Sequence, residues 1–394
     1  MKQLIETFCC FALVTALFAG DKMDSSTLRL STENPLDNGW VYMPPKDAAF
    51  AGAIKAVPGS GWKSPEFPCK PFHYYKITFR SRSEGLTWYA VFYYDKNGEY
   101  IVADTYGGID LSEDWIENAV AFRGRENVVK ARVSFMSHDA SYAPKLGPLT
   151  VDSIKIKEIS YEETLDWADT LYAGMPRLDY KPEPSRWKFI PRTMKRLQEG
   201  GTIRIVMLGD SIVNDTGNSN FEVLLRRIYP KADIKIIVSV RGGTGCWYYQ
   251  EPENFRSYVS DRKPDLLFIG GISQKNDLEA IRRVITMAKE TPGCEIILAS
   301  GPVGVDWRPS ENVKPGEPLP AMEAAWPTGW EKKLEALAGE LKVAYFDMAT
   351  PWHRYLAQSG KPKGWFHRDR VHANDRGKQV LARLLEAFFT GDSR

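Results

Sequence analysis

The amino-acid sequence predicts an α/β protein, a parallel sheet sheathed by helices, preceded by an antiparallel β-sandwich. Three observations carry this expectation. The hydrophobic period changes near residue 190. Ahead of that point the chain runs in short alternating segments divided by turn residues, the pattern of half-buried antiparallel strands. Beyond it, continuous β-branched apolar runs alternate with amphipathic helical patterns, as expected of parallel strands buried on both faces. A chain of 394 residues has room for two such units.

The N-terminus comes first. Lys2 precedes an apolar run over 8–18, followed by Ala19 and Gly20. The run is too short to span a bilayer and fits a secretory signal peptide over residues 1–20, which implies a secreted or periplasmic protein. Residues 25–162 are expected to form the sandwich, with strands over 74–81, 87–94, 100–104, 128–136 and 149–156. Asp95-Lys96-Asn97-Gly98 supplies a hairpin turn, because Asn and Gly tolerate positive φ. Aromatic residues are dense here, among them Trp40, Trp62, Trp88, Tyr89, Tyr93 and Trp115. Such rings fill sandwich cores and also stack on sugars; core is the commoner fate.

Residues 163–189, centred on MPRLDYKPEPSRW, are rich in proline and charge and are expected to be a linker. Residues 190–394 form the second unit. Strands are expected over 203–208, 234–240, 265–269, 295–300 and 343–346, and helices over 190–199, 221–228, 278–290, 330–341 and 375–389. In a parallel sheet of this kind ligands bind beyond the carboxyl ends of the strands.

Composition excludes several classes. Lys plus Arg (52) nearly balances Asp plus Glu (50), so no field favours nucleic acid. No segment is long enough to be a membrane span. Of five cysteines, Cys9 and Cys10 would leave with the signal peptide, and the remaining three are scattered. They make neither a disulfide scaffold nor a zinc site. No G-x-S-x-G elbow, phosphate loop, G-x-G-x-x-G or His-Glu-x-x-His is present, and no cofactor or metal is implied.

The residues that carry chemistry lie at strand ends. The first strand of the second unit ends in Gly209-Asp210-Ser211-Ile212, the second in Arg241-Gly242-Gly243-Thr244-Gly245, and the third in Gly270-Gly271-Ile272-Ser273-Gln274. Asp369-Arg370-Val371-His372 stands just before the last helix. A serine hydroxyl needs a base, and imidazole titrates near working pH. Asp369, three residues ahead of His372, can hydrogen-bond Nδ1 and leave Nε2 facing the serine. Asn374 can cap the terminal helix, whose apolar face (Val380, Leu381, Leu384, Leu385, Phe388) would anchor the loop. The bland alternatives are an N-cap role for Ser211 and a surface pairing of Asp369 with Arg370.

Together LGDSI, the glycine-rich turn and DRVH resemble the blocks of the SGNH/GDSL hydrolase family over about 190–390. The resemblance implies a flavodoxin-like parallel sheet and a catalytic Ser211–His372–Asp369 triad. It also implies an oxyanion hole from the backbone of Ser211, from Gly245 and from a side-chain amide after the third strand. The family's asparagine is missing there. Gln274 offers the same amide on a longer arm, with Asn276 a second option. Asp210 and His367 are expected to contact substrate.

The strand YYKITFRSR, the hairpin FYYDKNGEYI and the closing VDSIKIKEIS resemble jelly-roll carbohydrate-binding modules. The combination implies an esterase that removes acetyl groups from a poly- or oligosaccharide, with an acetylated carbohydrate as its partner. A long loop over 303–326 would wall the cleft. The alternatives are a glycan-binding protein with an inactive hydrolase unit, and a lipid esterase or acyltransferase on the same scaffold. Oligomeric state is not readable from the residues.

Overall fold

The computed structural model describes residues 27–43, 53–138, 146–302, 329–369 and 371–390. The expected signal peptide over 1–20, the loop over 303–326 and Arg370 lie outside the described residues.

Eleven strands precede residue 160 in the described residues: β1 (Thr27–Leu30), β2 (Val41–Met43), β3 (Ile54–Ala56), β4 (Gly61–Lys63), β5 (Phe67–Pro68), β6 (Tyr74–Ser83), β7 (Thr87–Tyr94), β8 (Tyr100–Ile109), β9 (Ser112–Arg123), β10 (Lys130–Ser137) and β11 (Leu149–Ile159). They form two antiparallel sheets, β1-β11-β6-β9 with β3 beside β11, and β2-β4-β10-β7-β8 with β5 beside β10. Alternation along β7 buries Tyr89, Val91 and Tyr93 against Ile77, Phe79 and Ile156 of the facing sheet. Most of the aromatic set is therefore core. Trp115 is an exposed exception, 38% accessible, with the guanidinium groups of Arg80 and Arg82 5.2 and 5.4 Å from its ring.

The second unit is built on five parallel strands, β12 (Gly201–Gly209), β13 (Ala232–Val240), β14 (Leu266–Ile269), β15 (Glu295–Ala299) and β16 (Ala344–Phe346), ordered β13-β12-β14-β15-β16. This is the flavodoxin-like order, and its switch point lies at β12, between β13 and β14. Continuous apolar sequence such as LLFI of β14 is buried along its whole length, because helices cover both faces. The principal covering helices are α2 (Pro191–Glu199), α4 (Phe221–Ile228), α7 (Leu278–Lys289), α8 (Trp330–Leu341), α9 (Ala349–Gln358) and α10 (Asp375–Thr390). Short helices α3 (Ser211–Gly217), α5 (Cys246–Tyr249) and α6 (Pro252–Tyr258) fill the loops after β12 and β13. The Asn374 side chain accepts the Gly377 N–H at 3.1 Å and so caps α10.

The stretch expected as a linker is different. Helix α1 (Tyr161–Ala173) begins at a capping box, in which Ser160 Oγ accepts the Glu163 N–H while Glu163 accepts the Ser160 N–H. Asp169 on α1 pairs with Arg227 of α4 at 3.0 Å and Arg383 of α10 at 2.6 Å. Met175 and Leu178 beyond it are buried in the same core as the parallel sheet. The helix buries only Thr164 and Ala168, so it leaves little amphipathic trace in the sequence.

The two units share an interface with both apolar and charged content. Tyr74, Ala121 and Ile159 of the sandwich belong to the core of the parallel-sheet unit. Arg123 of β9 forms an ion pair with Glu222 of α4, their side chains 4% and 0% exposed. Tyr74 Oη donates to the same carboxylate at 3.3 Å. Removing one partner of such a pair leaves a buried charge uncompensated, which costs about 3–5 kcal/mol. Arg123→Met should lower the unfolding free energy by about that amount in urea denaturation. A loss under ~1 kcal/mol would mean that the interface does not bind the units together.

Candidate functional site

The switch point places the end of β12 beside the loops that follow β13 and β14, and there Gly209 leads into Asp210 and Ser211. Asp210 is the N-cap of α3. Its Oδ1 accepts the Ile212 N–H at 2.9 Å, and its Oδ2 accepts the N–H groups of Ile272 and Ser273 at 2.7 and 2.8 Å. One carboxylate therefore fixes the turn that carries Ser211 and the third loop together. Gly271 makes this possible. Its φ is +96°, and a Cβ there would stand 2.5 Å from Asp210 Oδ1. The expectation that Asp210 contacts substrate is corrected, since the residue is 1% exposed and both oxygens serve the backbone.

Ser211 is the first residue of α3, half-buried, with its Oγ 2.8 Å from His372 Nε2. On the other side His372 Nδ1 lies 2.8 Å from Asp369 Oδ2. The Asp369 Oδ1 accepts the N–H groups of Val371 at 2.7 Å and His372 at 2.8 Å, which closes the four-residue loop upon its own carboxylate. An acceptor at Nδ1 favours the tautomer with its proton there, leaving the Nε2 lone pair for the serine hydroxyl. Burial pushes the Asp369 pKa up. The hydrogen bond from His372, the positive charge of Arg368 and the backbone N–H of Val371 outweigh that and hold it well below the usual carboxylate range.

A depressed carboxylate stabilises the fold above its unfolded pKa of about 3.9, and that contribution fades as pH falls through the lower folded value. The stability difference between the wild type and Asp369→Asn should therefore persist from neutrality to about pH 4 and shrink only below it. Thermal melts across that range check this, and a difference already gone at pH 5 would contradict it.

His367 does not line the site. It is 3% exposed, pairs through its backbone with Ala373, and its ring lies 5.7 Å edge-on to Trp352. Substrate contact is withdrawn for it, and its place is in the packing under α9. His353, on α9, is likewise buried.

Of the expected oxyanion donors, the Ser211 N–H stands at the first position of a helix and has no intrahelical acceptor. Gly245 is where the second and third loops touch; a Cβ on it would meet the Ser273 carbonyl at 2.5 Å. Gln274 is engaged elsewhere. Its Oε1 accepts the Cys246 N–H and its Nε2 donates to the Gly270 carbonyl, both at 2.9 Å, with the residue 5% exposed. The amide cross-links the two loops. Asn276 is exposed, with φ +55°.

Gln274→Ala would leave a buried N–H and a buried C=O without partners, at about 1–3 kcal/mol for each unsatisfied group. The expected outcome is a lower melting temperature that accompanies any loss of kcat. Lost kcat at unchanged stability would instead restore the direct-donor role.

Two charged residues escaped the sequence reading, Asp215 on α3 and Arg368 beside Asp369. Their side chains meet at 2.9 Å, buried beneath the serine and histidine. The available signals are an Asp one helical turn after Ser211 and an Arg next to Asp369; neither marks them as partners across 153 residues.

No protein-family model and no curated protein sequence matches the chain. Solved structures similar to it include a two-domain esterase active on acetylated mannans, at 16% identity and TM-score 0.40, covering 53% of this chain and 54% of that one. The chain thus spans about half the length of that protein. A catalytic mutant of an acetylxylan esterase from Geobacillus stearothermophilus is similar at 14% identity and TM-score 0.38, covering 49% of this chain and 96% of that one. A family two carbohydrate esterase from Cellvibrio japonicus is similar at 14% identity and TM-score 0.23, covering 82% and 88%.

Proposed function

We propose that the chain is a serine ester hydrolase that removes O-acetyl groups from a polysaccharide or oligosaccharide through an acyl-enzyme. The observation that carries the reading is the continuous relay Asp369–His372–Ser211, with 2.8 Å at both links and the serine open enough to meet a ligand. Ser211 Oγ attacks the ester carbonyl while its proton passes to His372 Nε2. Asp369 holds the resulting imidazolium through Nδ1. The negative charge on the carbonyl oxygen falls to the N–H groups of Ser211 and Gly245. His372 then gives its proton to the departing sugar oxygen, and the acetyl group stays on Ser211. Water, deprotonated by the same nitrogen, attacks that ester and releases acetate.

The acetylated-glycan substrate is supported by the sandwich's resemblance to sugar-binding modules and by the expected export. A second reading, a glycan-binding protein with little turnover, draws support from the engagement of Gln274 between loops, which leaves two backbone donors at the oxyanion. One lost donor is worth about 2.7–4 kcal/mol of transition-state stabilisation.

Acetate release from a panel of acetylated polysaccharides, measured for wild type and Ser211→Ala, separates the two. The expected result is release by wild type on at least one glycan and a loss of about a thousandfold or more in the variant. Equal rates in both proteins would remove the serine mechanism.

A further inference from the structure

Helix α3 carries two functional groups on one face. Ser211 opens it, and Asp215, one turn later, points beneath the nucleophile into the protein. Both Asp215 oxygens accept from Arg368 Nη1, at 2.9 and 3.0 Å, and Oδ2 also accepts the Ala373 N–H at 3.0 Å. The same Nη1 donates to the Ala373 carbonyl, and the Arg368 N–H donates to the His372 carbonyl at 3.0 Å. The backbone on both sides of the imidazole is therefore tied, through one ion pair, to the helix that starts with the nucleophile. The side chains are 5% and 1% exposed, so water does not compete for these bonds.

The sandwich closes the assembly from the far side. The Tyr106 ring of β8 lies 5.2 Å from the Arg368 guanidinium, and His138 Nε2 is 3.1 Å from the Arg368 carbonyl. Gly108 lets β8 approach, since a Cβ there would meet the Cβ atoms of Asn374 and Arg368 at 3.0 and 3.2 Å.

We propose that the buried Asp215–Arg368 pair is a positioning device that sets the distance between Ser211 Oγ and His372 Nε2. The proposal rests on reading these two residues as nucleophile and base. Its chemistry makes a distinctive demand. Among the described residues, the side-chain hydrogen bonds of Arg368 come from Nη1, so a lysine ammonium placed at that point supplies enough donors, whereas an isosteric apolar chain supplies none.

The test compares Arg368→Met, Arg368→Lys and Asp215→Asn in the full chain. Misplacing a reacting group by an ångström costs about a hundredfold, so Arg368→Met should lower kcat on p-nitrophenyl acetate by about that factor with KM little changed. Arg368→Lys should recover most of the loss, and Asp215→Asn should fall between. A second readout needs no turnover. The far-downfield proton of His372 Nδ1–H, assigned by its loss in His372→Ala, should survive in Arg368→Lys and vanish or shift in Arg368→Met. If Arg368→Met does not fold, Asp215→Asn is judged by the same two measurements.

Folded variants that keep both kcat and the downfield proton overturn the proposal, as does a lysine variant no better than methionine. A wild type without esterase activity whose downfield proton responds as expected would sink the functional reading and leave the positioning role standing.

Discussion

Everything at the site depends on keeping the Ser211 hydroxyl 2.8 Å from an imidazole that is 161 residues away along the chain. A hydrogen bond of that length tolerates little drift before proton transfer suffers. Both residues are placed chiefly through the backbone around them, with the His372 ring aimed by its Nδ1 bond to Asp369. Ser211 is placed by Asp210, whose carboxylate gathers N–H groups from the start of α3 and from the loop after β14. His372 is placed by a loop folded upon the Asp369 carboxylate and mounted on the capped start of α10. The Ser211–His372 contact is thus set by two buried carboxylates, Asp210 and Asp369, both of which gather backbone N–H groups.

The sandwich belongs to the same construction. Strand β8 is the edge of its sheet, and an exposed edge offers unpaired backbone groups to any neighbour. Here the Asp104 carbonyl accepts from the amides of Asn214 on α3 and Asn218 at its end, at 2.8 and 3.1 Å. Tyr89, deep in the sandwich, reaches past Gly107 to donate to Asp375 at the start of α10, and Arg376 pairs with Asp110. Helix α3, which begins with Ser211, and helix α10, which follows His372, therefore both lean on one edge of the sandwich, formed by β7, β8 and the residue after β8. This arrangement favours a buttress over a freely tethered module, because separation would expose the buried Arg123–Glu222 pair and the β8 edge together.

Much of this was legible in the residues, and the reasons differ by element. The parallel strands were plain because burial on both faces demands apolar runs with few interruptions, as in IVML within β12 and LLFI of β14. Helices α4 and α8 follow the expected limits because their apolar stripes have a clear period. Strand β9 was missed because its first half, SEDWIEN, is polar and largely solvent-facing, and its buried half is only four residues long. Helix α1 was read as linker because its contacts are ionic and aromatic at the margins. At the site, motif order singled out Ser211, Asp369 and His372, which the fold brings within hydrogen-bond distance of one another. Side-chain destinations were not legible: Gln274 and Asp210 are claimed by loop backbone and a helix cap, and His367 by packing against Trp352. The Asp215–Arg368 pair is a tertiary contact that no spacing reveals.

The most direct measurement of the central claim is mass spectrometry of the wild-type chain, acid-quenched during steady-state turnover of an acetyl ester. The account predicts one added acetyl group, on the peptide that contains Ser211, which disappears as substrate is exhausted. Wild-type turnover with no covalent acetyl group on Ser211 at any quench time would contradict it, as would an acetyl group that turns over on any other residue.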